Sequence, residues 1–337
     1  MSALARIALA LLRAGGDRQN AADYAQAQWG MDTTEYRALG SALSSEGGVL
    51  VGTETSLQFA SALRSISVVR RLGARSIPLM GQQATPKVTG GAELSYIGDN
   101  QIIPVSEQSL GLVQFNLRTL AALVPVSGPI MRHAPELAER LIITDLLEGA
   151  AAAEDSQFLR GPGTEYQPKG ARYWAHADNV LTSAGATFDN VLTDLGAAMA
   201  AIEDKKVPMR RPGWALSHRT RRFLSTLKDT AGSLAFKDEL AAGTLLGYPF
   251  ASTTGIPDDL GAGSDESEVF FADWAETAIG EGFMSVDVAK GAAYFQSGTI
   301  RAGYSSDTWA IRIIVEHDFN VRHEEAVAVL TGVTWGS

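Results

Sequence analysis

The chain reads as an α+β protein, and three observations predict it. Residues 75–118 alternate like paired strands, a long helix runs from about 135 to a Gly161-Pro162-Gly163 turn, and helices then interleave with glycine-bounded β-runs. At 337 residues and 45% hydrophobic composition it can bury a full core. It has no cysteine, which excludes disulfides and thiolate metal sites. A formal net charge of −10 argues against a broad electrostatic grip on nucleic acid or anionic lipid, and no apolar run approaches a membrane span.

Residues 1–46 are rich in Ala, Gln and Arg, with Tyr24, Trp29 and Tyr36 scattered among them. They read as an arm with little core of its own. The apolar run 7–12 is short and Arg13 closes it, so a partner-bound or amphipathic helix is expected there rather than an export signal. Gly47-Gly48 opens a short strand-like run, and Leu57, Ala60, Leu63 and Ser67 follow at helical spacing up to a turn at Gly73. The segment 75–118 reads as a long two-stranded ribbon in which Val113, Phe115 and Leu117 share one face. An isolated hairpin is marginal in water, so this ribbon is expected to lie on a neighbour.

Pro135 suits a first helical turn, with Glu136 and Glu139 well placed against the helix dipole. Ile142, Leu146, Ala150 and Ala153 line one face of a helix of about twenty-five residues. The small residues 149–153 permit close approach, and Gly161-Pro162-Gly163 must end the helix. The stretch GPGTEYQPKG, 161–170, superficially resembles a phosphate loop. Pro168 stands where the second glycine belongs and no hydroxyl follows Lys169, so the turn reads as a joint between two parts of the fold.

Beyond the joint, 187–204 reads as a helix carrying Phe188, Val191, Leu192 and Leu195, and 217–227 as another with Ser217 as N-cap. Strands are expected at 268–271, 299–301 and 309–315, with Val327, Val329 and Leu330 closing the chain.

Catalytic, metal and cofactor chemistry are not predicted. HEEAV at His323 has Val327 in place of a second histidine, and the five histidines are dispersed. No G-x-S-x-G elbow occurs. The acids Asp258, Asp259, Asp265, Glu266 and Glu268 do not match a calcium loop and read as a solvated tip. The dispersed tryptophans read as core or interface packing.

Several short blocks in fixed order carry a resemblance: the Ala-rich helix ending in Glu154-Asp155, then Phe158-Leu159, G-x-G at 161–163 and P-x-G at 168–170. RRPGWALSHRTRRFLSTLKDTAGSLAF (210–236), TLLGYPFASTTGIPDD (244–259), VFFADW from Val269 and the Gly47-Gly48 start continue it. In these the chain resembles the major capsid proteins of tailed bacteriophages, a fold shared with encapsulins. Gly52 and Ala171-Arg172 depart from the pattern. An encapsulin-like cargo shell is the alternative, and a hydrolase the remote one.

The resemblance implies an arm (1–46), the start of a peripheral domain (47–73), an extended E-loop (74–118) and peripheral domain with spine helix (119–163). An axial domain (164–300) and a peripheral return segment (301–337) complete it. It implies no enzymatic activity and no cofactor, and localisation in the virion after assembly in the bacterial cytoplasm. The implied partners are further copies of the chain, as pentamers and hexamers around double-stranded DNA bound without sequence preference, a portal, a separate scaffolding protein and a decoration protein. The N-terminus is expected to remain in the particle. Trp29, Lys87, Val113, Phe115 and Leu117 are the expected assembly contacts, and Gly161, Pro162 and Gly163 the interdomain joint. Some family members crosslink a ribbon Lys to an Asn seven residues before a catalytic Glu. Lys87 and Glu316 fit, but Trp309 occupies the Asn position and Asn320 lies on the wrong side of Glu316, so no crosslink is expected.

Overall fold

The computed structural model describes residues 6–7, 10–11, 13–14, 17–30, 33, 36, 39, 49–50, 63, 66–79, 83–90, 109–133 and 135–337. Gly47, Gly48, Leu57 and Ala60 lie outside them. Two sheets organise the rest. The first is built on a long antiparallel pair, β11 (Thr277–Lys290) and β14 (Thr308–Val321). β5 (Arg118–Ser127) adds to β14, whereas β1 (Val49–Leu50) and β2 (Arg75–Pro78) add to β11. Strand alternation explains its faces. Ile311 and Ile313 are buried while Arg312 between them turns outward, pairing across the ladder with Asp287 at 2.8 Å.

The buried face of this sheet carries the described part of the arm, which packs on the sheet's core rather than on one of its own. Helix α1 (Arg18–Trp29), capped by Asp17, presents Ala21, Ala22 and Ala25 to a cluster with Val126, Met284 and Ile311. These methyl-sized side chains let the helix approach closely. Ile7, Leu11 and Leu39 join the same cluster. The spine helix α4 (Pro135–Arg160, 26 residues), preceded by the short α3 (Gly128–His133), covers it with Leu146, Leu147 and Ala150.

The second sheet runs β6 (Val180–Thr182), β15 (Val327–Val333), β10 (Ser267–Asp273), β7 (Pro212–Ser217), β9 (Tyr248–Thr253), β8 (Thr244–Leu245). Both of its faces are covered, and β10 is buried along its whole length. Val269, Phe271, Trp214 and Leu330 pack under helix α6 (Phe188–Glu203) through Val191, Leu195 and Ile202. Phe270, Ala272, Ala215 and Val329 face the other way. They share a core with Phe158 and Leu159 of α4, Val68 and Val69 of α2 (Val68–Leu72), Ala171 of the single-turn α5 (Ala171–Trp174), and Ile279 and Phe319 of the first sheet. That shared core joins the two sheets.

Sheet membership cuts across the expected domain boundaries. β11 begins at Thr277 and belongs to the first sheet, although 164–300 was expected to be axial. β15, within the expected peripheral return, belongs to the second. The chain crosses between sheets at the short 3-10 turns Trp274–Glu276 and Glu324–Ala326. Ser67, expected on a helix face, is extended and stands before α2 as its cap residue.

Two ribbons stand apart from the sheets: β3 (Gln83–Gly90) paired with β4 (Ser109–Phe115), and β12 (Ala293–Gln296) paired with β13 (Thr299–Ala302). The first was expected; the second was not recognised as a separate ribbon.

The helices at 187–204 and 217–227 form as predicted, α7 being His218–Thr226 with Ser217 Oγ accepting from the Thr220 amide at 3.2 Å.

Two glycines should respond oppositely to a methyl group. Gly149 in α4 is exposed and a Cβ there would meet open space, so Gly149→Ala should stabilise by about 1 kcal/mol through helix propensity. A Cβ on Gly170 would lie 2.6 Å from the Gly161 nitrogen and 2.7 Å from that of Arg160. Gly170→Ala should therefore lower the melting temperature sharply or abolish soluble expression, with thermal unfolding as the measurement for both.

Candidate functional site

The last turns of α4 place two adjacent carboxylates in the shared core, each with a different task. Asp155 caps α2 from across the fold. Its Oδ1 accepts from Ser67 Oγ at 2.8 Å and the Val68 amide at 2.9 Å, and its Oδ2 accepts from Thr253 Oγ1 at 3.1 Å. These orphan amides would otherwise be buried without partners. Burial pushes the Asp155 carboxyl above its ordinary value, against the opposing donors of Val68 and Ser67.

Glu154 forms a bidentate pair with Arg70 of α2, Oε2 accepting from Nε at 2.8 Å and Oε1 from Nη2 at 2.9 Å. Arg70 Nη1 reaches Glu281 of β11, and His317 Nδ1 of β14 stands 3.4 Å from Glu154 Oε1. All four groups are buried. Burial would raise the Glu154 carboxyl, but the Arg70 charge and then the His317 and Arg70 side-chain contacts outweigh it and hold it at about 2. Burial works against the Arg70 cation too, and Glu154 followed by Glu281 overcomes it, so Arg70 stays charged. Phe158 closes the site, its ring edge-on to His317 at 5.0 Å and stacked on Phe319 at 5.3 Å. One arginine thus ties α2, the spine helix and the first sheet.

One turn later the chain enters the joint. Glu268 of β10, only 3% exposed, accepts from Arg160 Nε and Arg172 Nε, each at 3.1 Å, so it clamps both ends of the segment 161–170. Its placement in the solvated loop tip is corrected: β10 carries it inward, where two guanidinium groups meet it. Within the joint the Gly170 amide donates to Gly161 O at 2.9 Å, Pro162 bridges Lys169, and Gly163 has φ +73°. Gly161 is glycine because a Cβ would meet the carbonyls of Pro168 and Gln157. Lys169 lies over the Trp174 ring, its Nζ 3.8 Å from the centroid.

The root of the first ribbon is fastened beside the joint. The Asn116 amide donates to Asp318 Oδ2 at 2.8 Å, Asn320 Nδ2 to Gln114 O at 3.0 Å, and Arg118 Nη2 to Thr164 O at 3.1 Å. Burial raises the Asp318 carboxyl, against the Asn116 and Phe319 amides.

The expected assembly contacts are redistributed. Val113 and Phe115 are 5% and 1% exposed, covered by Leu79 and Ala278 of their own chain, so within the subunit they are core residues of the ribbon root. Leu117 is half-buried against the same cluster. Trp29 is half-buried in the arm's own cluster, edge-on to Tyr24 at 5.7 Å. Lys87 lies on β3 opposite Gly111, and its side chain is outside the described residues. The free face of the ribbon belongs instead to Leu112, 64% exposed. Sequence reasoning noticed the Glu154-Asp155 pair but not its partners. The signal was present, since each acid stands four residues before a buried apolar side chain, Phe158 or Leu159, on the same helix.

Among the described residues no group of His, Asp and Glu could hold a metal ion, and no helix is long and apolar enough to cross a membrane. Asp155 caps, Glu268 clamps, and Arg70 with Glu154 and Glu281 joins elements of the fold. The described residues thus form two sheets joined through a shared core that holds buried charge, with two ribbons outside both sheets. Residues 47–332 match the phage capsid family, and the chain belongs to it. It is 35% identical over 337 residues to a major capsid protein of Klebsiella oxytoca phage phiKO2, covering 98% of this chain and 78% of that one. A capsid polyprotein of Pseudomonas phage PAJU2 is 22% identical over 311 residues, 86% of this chain and 46% of that one. Among solved structures, a chain of Microbacterium phage Oxtober96 has a TM-score of 0.62 at 14% identity, covering 78% of this chain and 90% of that chain. The capsid of a native GTA particle has a TM-score of 0.56 at 15% identity, covering 81% and 90%. These share the fold. The chain functions as a phage major capsid protein, a structural subunit of the icosahedral head shell.

Two outcomes test the charge cluster. Arg70→Met leaves Glu154 and Glu281 buried without their cation and should cost about 3–5 kcal/mol in urea unfolding, most of it recovered when both acids are also made Gln. The pH dependence follows from the lowered Glu154 value: its contribution is complete above the ordinary 4.5 and lost as pH falls towards about 2. Glu154→Gln should therefore flatten the loss of stability across that window. Asp155 and Asp318 act oppositely, their contribution being present below the ordinary 3.8 and lost as pH rises.

Proposed function

We propose that the chain assembles as pentamers and hexamers into a closed head around double-stranded DNA, held by non-covalent contacts without covalent crosslinks. The observation that carries this is the β12–β13 ribbon. Phe295 and Ile300 face each other across it, 73% and 75% exposed, beside Tyr304 at 90%. A two-stranded ribbon bearing uncovered aromatic and aliphatic side chains is marginal alone, and neighbouring copies supply its cover. Leu112 on the first ribbon makes the same demand. The portal, a separate scaffolding protein and a decoration protein are the further partners, and assembly takes place in the bacterial cytoplasm. DNA is contained rather than gripped, in keeping with the net charge of −10. The chain has no enzymatic role in this reading.

Covalent crosslinking is disfavoured by the placement of its would-be parts. The Asn320 amide is buried and donates to Gln114 O, so it is not presented to an incoming amine. Glu316, expected to follow an apolar strand, lies within β14 opposite Thr119 and is not buried.

The double substitution Phe295→Asp with Ile300→Asp should leave a folded, soluble subunit that forms no particles by electron microscopy and light scattering; particles at the wild-type yield would refute the role of the ribbon. Boiled wild-type particles should run as one band at monomer mass. A ladder of multimers would refute non-covalent assembly.

A further inference from the structure

Helix α7 carries His218, Arg221, Arg222 and Ser225 at helical spacings of three and four, so all face one side. That side opens on a concave pocket of about 330 Å³, closed opposite by Lys237 and Leu240 of α8 (Lys237–Ala242). The His218 ring is fixed by a 3.0 Å contact from Nδ1 to Ser252 Oγ. Arg221, Arg222 and Lys237 are exposed and have no acidic partner among the described residues. Two guanidinium groups and an ammonium therefore line one concavity without an acidic partner, while the Ser225 hydroxyl donates to the Arg222 carbonyl at 2.6 Å. On a chain of net charge −10, this is a local reversal of sign.

We infer that this pocket is a carboxylate socket, filled in the particle by Asp or Glu side chains of a second copy of the chain. The inference rests on the shell reading above. A ring of copies joins one face of a subunit to a different face of the next, so a basic socket on an acidic protein finds its complement on its own neighbour. Arginine favours this ligand because its fork matches a carboxylate bidentately. Packaged nucleic acid is the weaker occupant. A phosphate backbone needs a stripe of cations, whereas this is one small pocket on a surface whose net charge repels a polyanion.

The test is zero-length carbodiimide coupling of particles assembled from mixed isotopically light and heavy subunits, prepared with and without DNA, followed by peptide mass spectrometry. Lysine acetylation is measured in parallel. The expected result is an amide between Lys237 Nζ and a carboxylate of a different copy in both preparations, with Lys237 acetylated at least about tenfold more slowly than in unassembled subunits. Arg221→Glu with Arg222→Glu alters only exposed side chains; it should abolish that crosslink and lower particle yield at least about tenfold, while circular dichroism of the subunit is unchanged. Particles in which Lys237 reacts like the free subunit, or couples only within its own chain, would overturn the inference alone. Protection confined to DNA-filled particles would assign the pocket to nucleic acid and also overturn it. Failure to form any particle would overturn the shell reading, and the socket with it.

Discussion

The fold depends on what happens to two carboxylates at the end of one helix. Glu154 and Asp155 are carried into a core that also holds Phe158, Phe270 and Phe319, where an unpaired charge would cost several kcal/mol. Each is satisfied by a segment distant in sequence. Arg70 answers Glu154 from 84 positions away and Glu281 from 211, while the first amides of α2 answer Asp155. The spine helix, the short helix and the first sheet are thereby held in one arrangement. Apolar burial supplies the bulk of the stabilising energy, and the charges specify the geometry because few alternative packings would satisfy all of them.

The joint repeats this logic. Glycine at 161 and 170 allows the strands of the turn to touch backbone to backbone, and Glu268 then draws Arg160 and Arg172 to a single point on β10. The ribbon root is fastened to the same place through Arg118 and Thr164. These contacts fix the joint and the ribbon root to one place in the subunit. The two ribbons differ. The first buries one face against its own chain and leaves Leu112 outward, whereas the second is open on both faces.

Much of this was legible locally. Pro135 and the Gly-Pro-Gly turn bracketed the spine helix, Ser217 marked a cap, and alternation at 309–315 marked a strand. Sheet membership was not, because a period of two is identical in either sheet, and Thr277–Lys290 was not read as a strand at all. The same ambiguity applies to Val113 and Phe115. Alternation identified the face they share but not whether their own chain or a neighbour covers it. The charge cluster was hidden for a related reason, since its members are individually ordinary and become a site only when long-range contacts bring them together.

If the helix-end carboxylates hold the two sheets in register, removing their partner should loosen a defined region rather than the whole chain. Amide hydrogen exchange on the purified subunit carrying Arg70→Met measures this most directly. Protection should fall furthest at 67–72, at the end of the spine helix and around Glu281, by more than β10 loses through the lower global stability. Unchanged protection at 67–72, or a uniform loss that includes β10, would contradict the account.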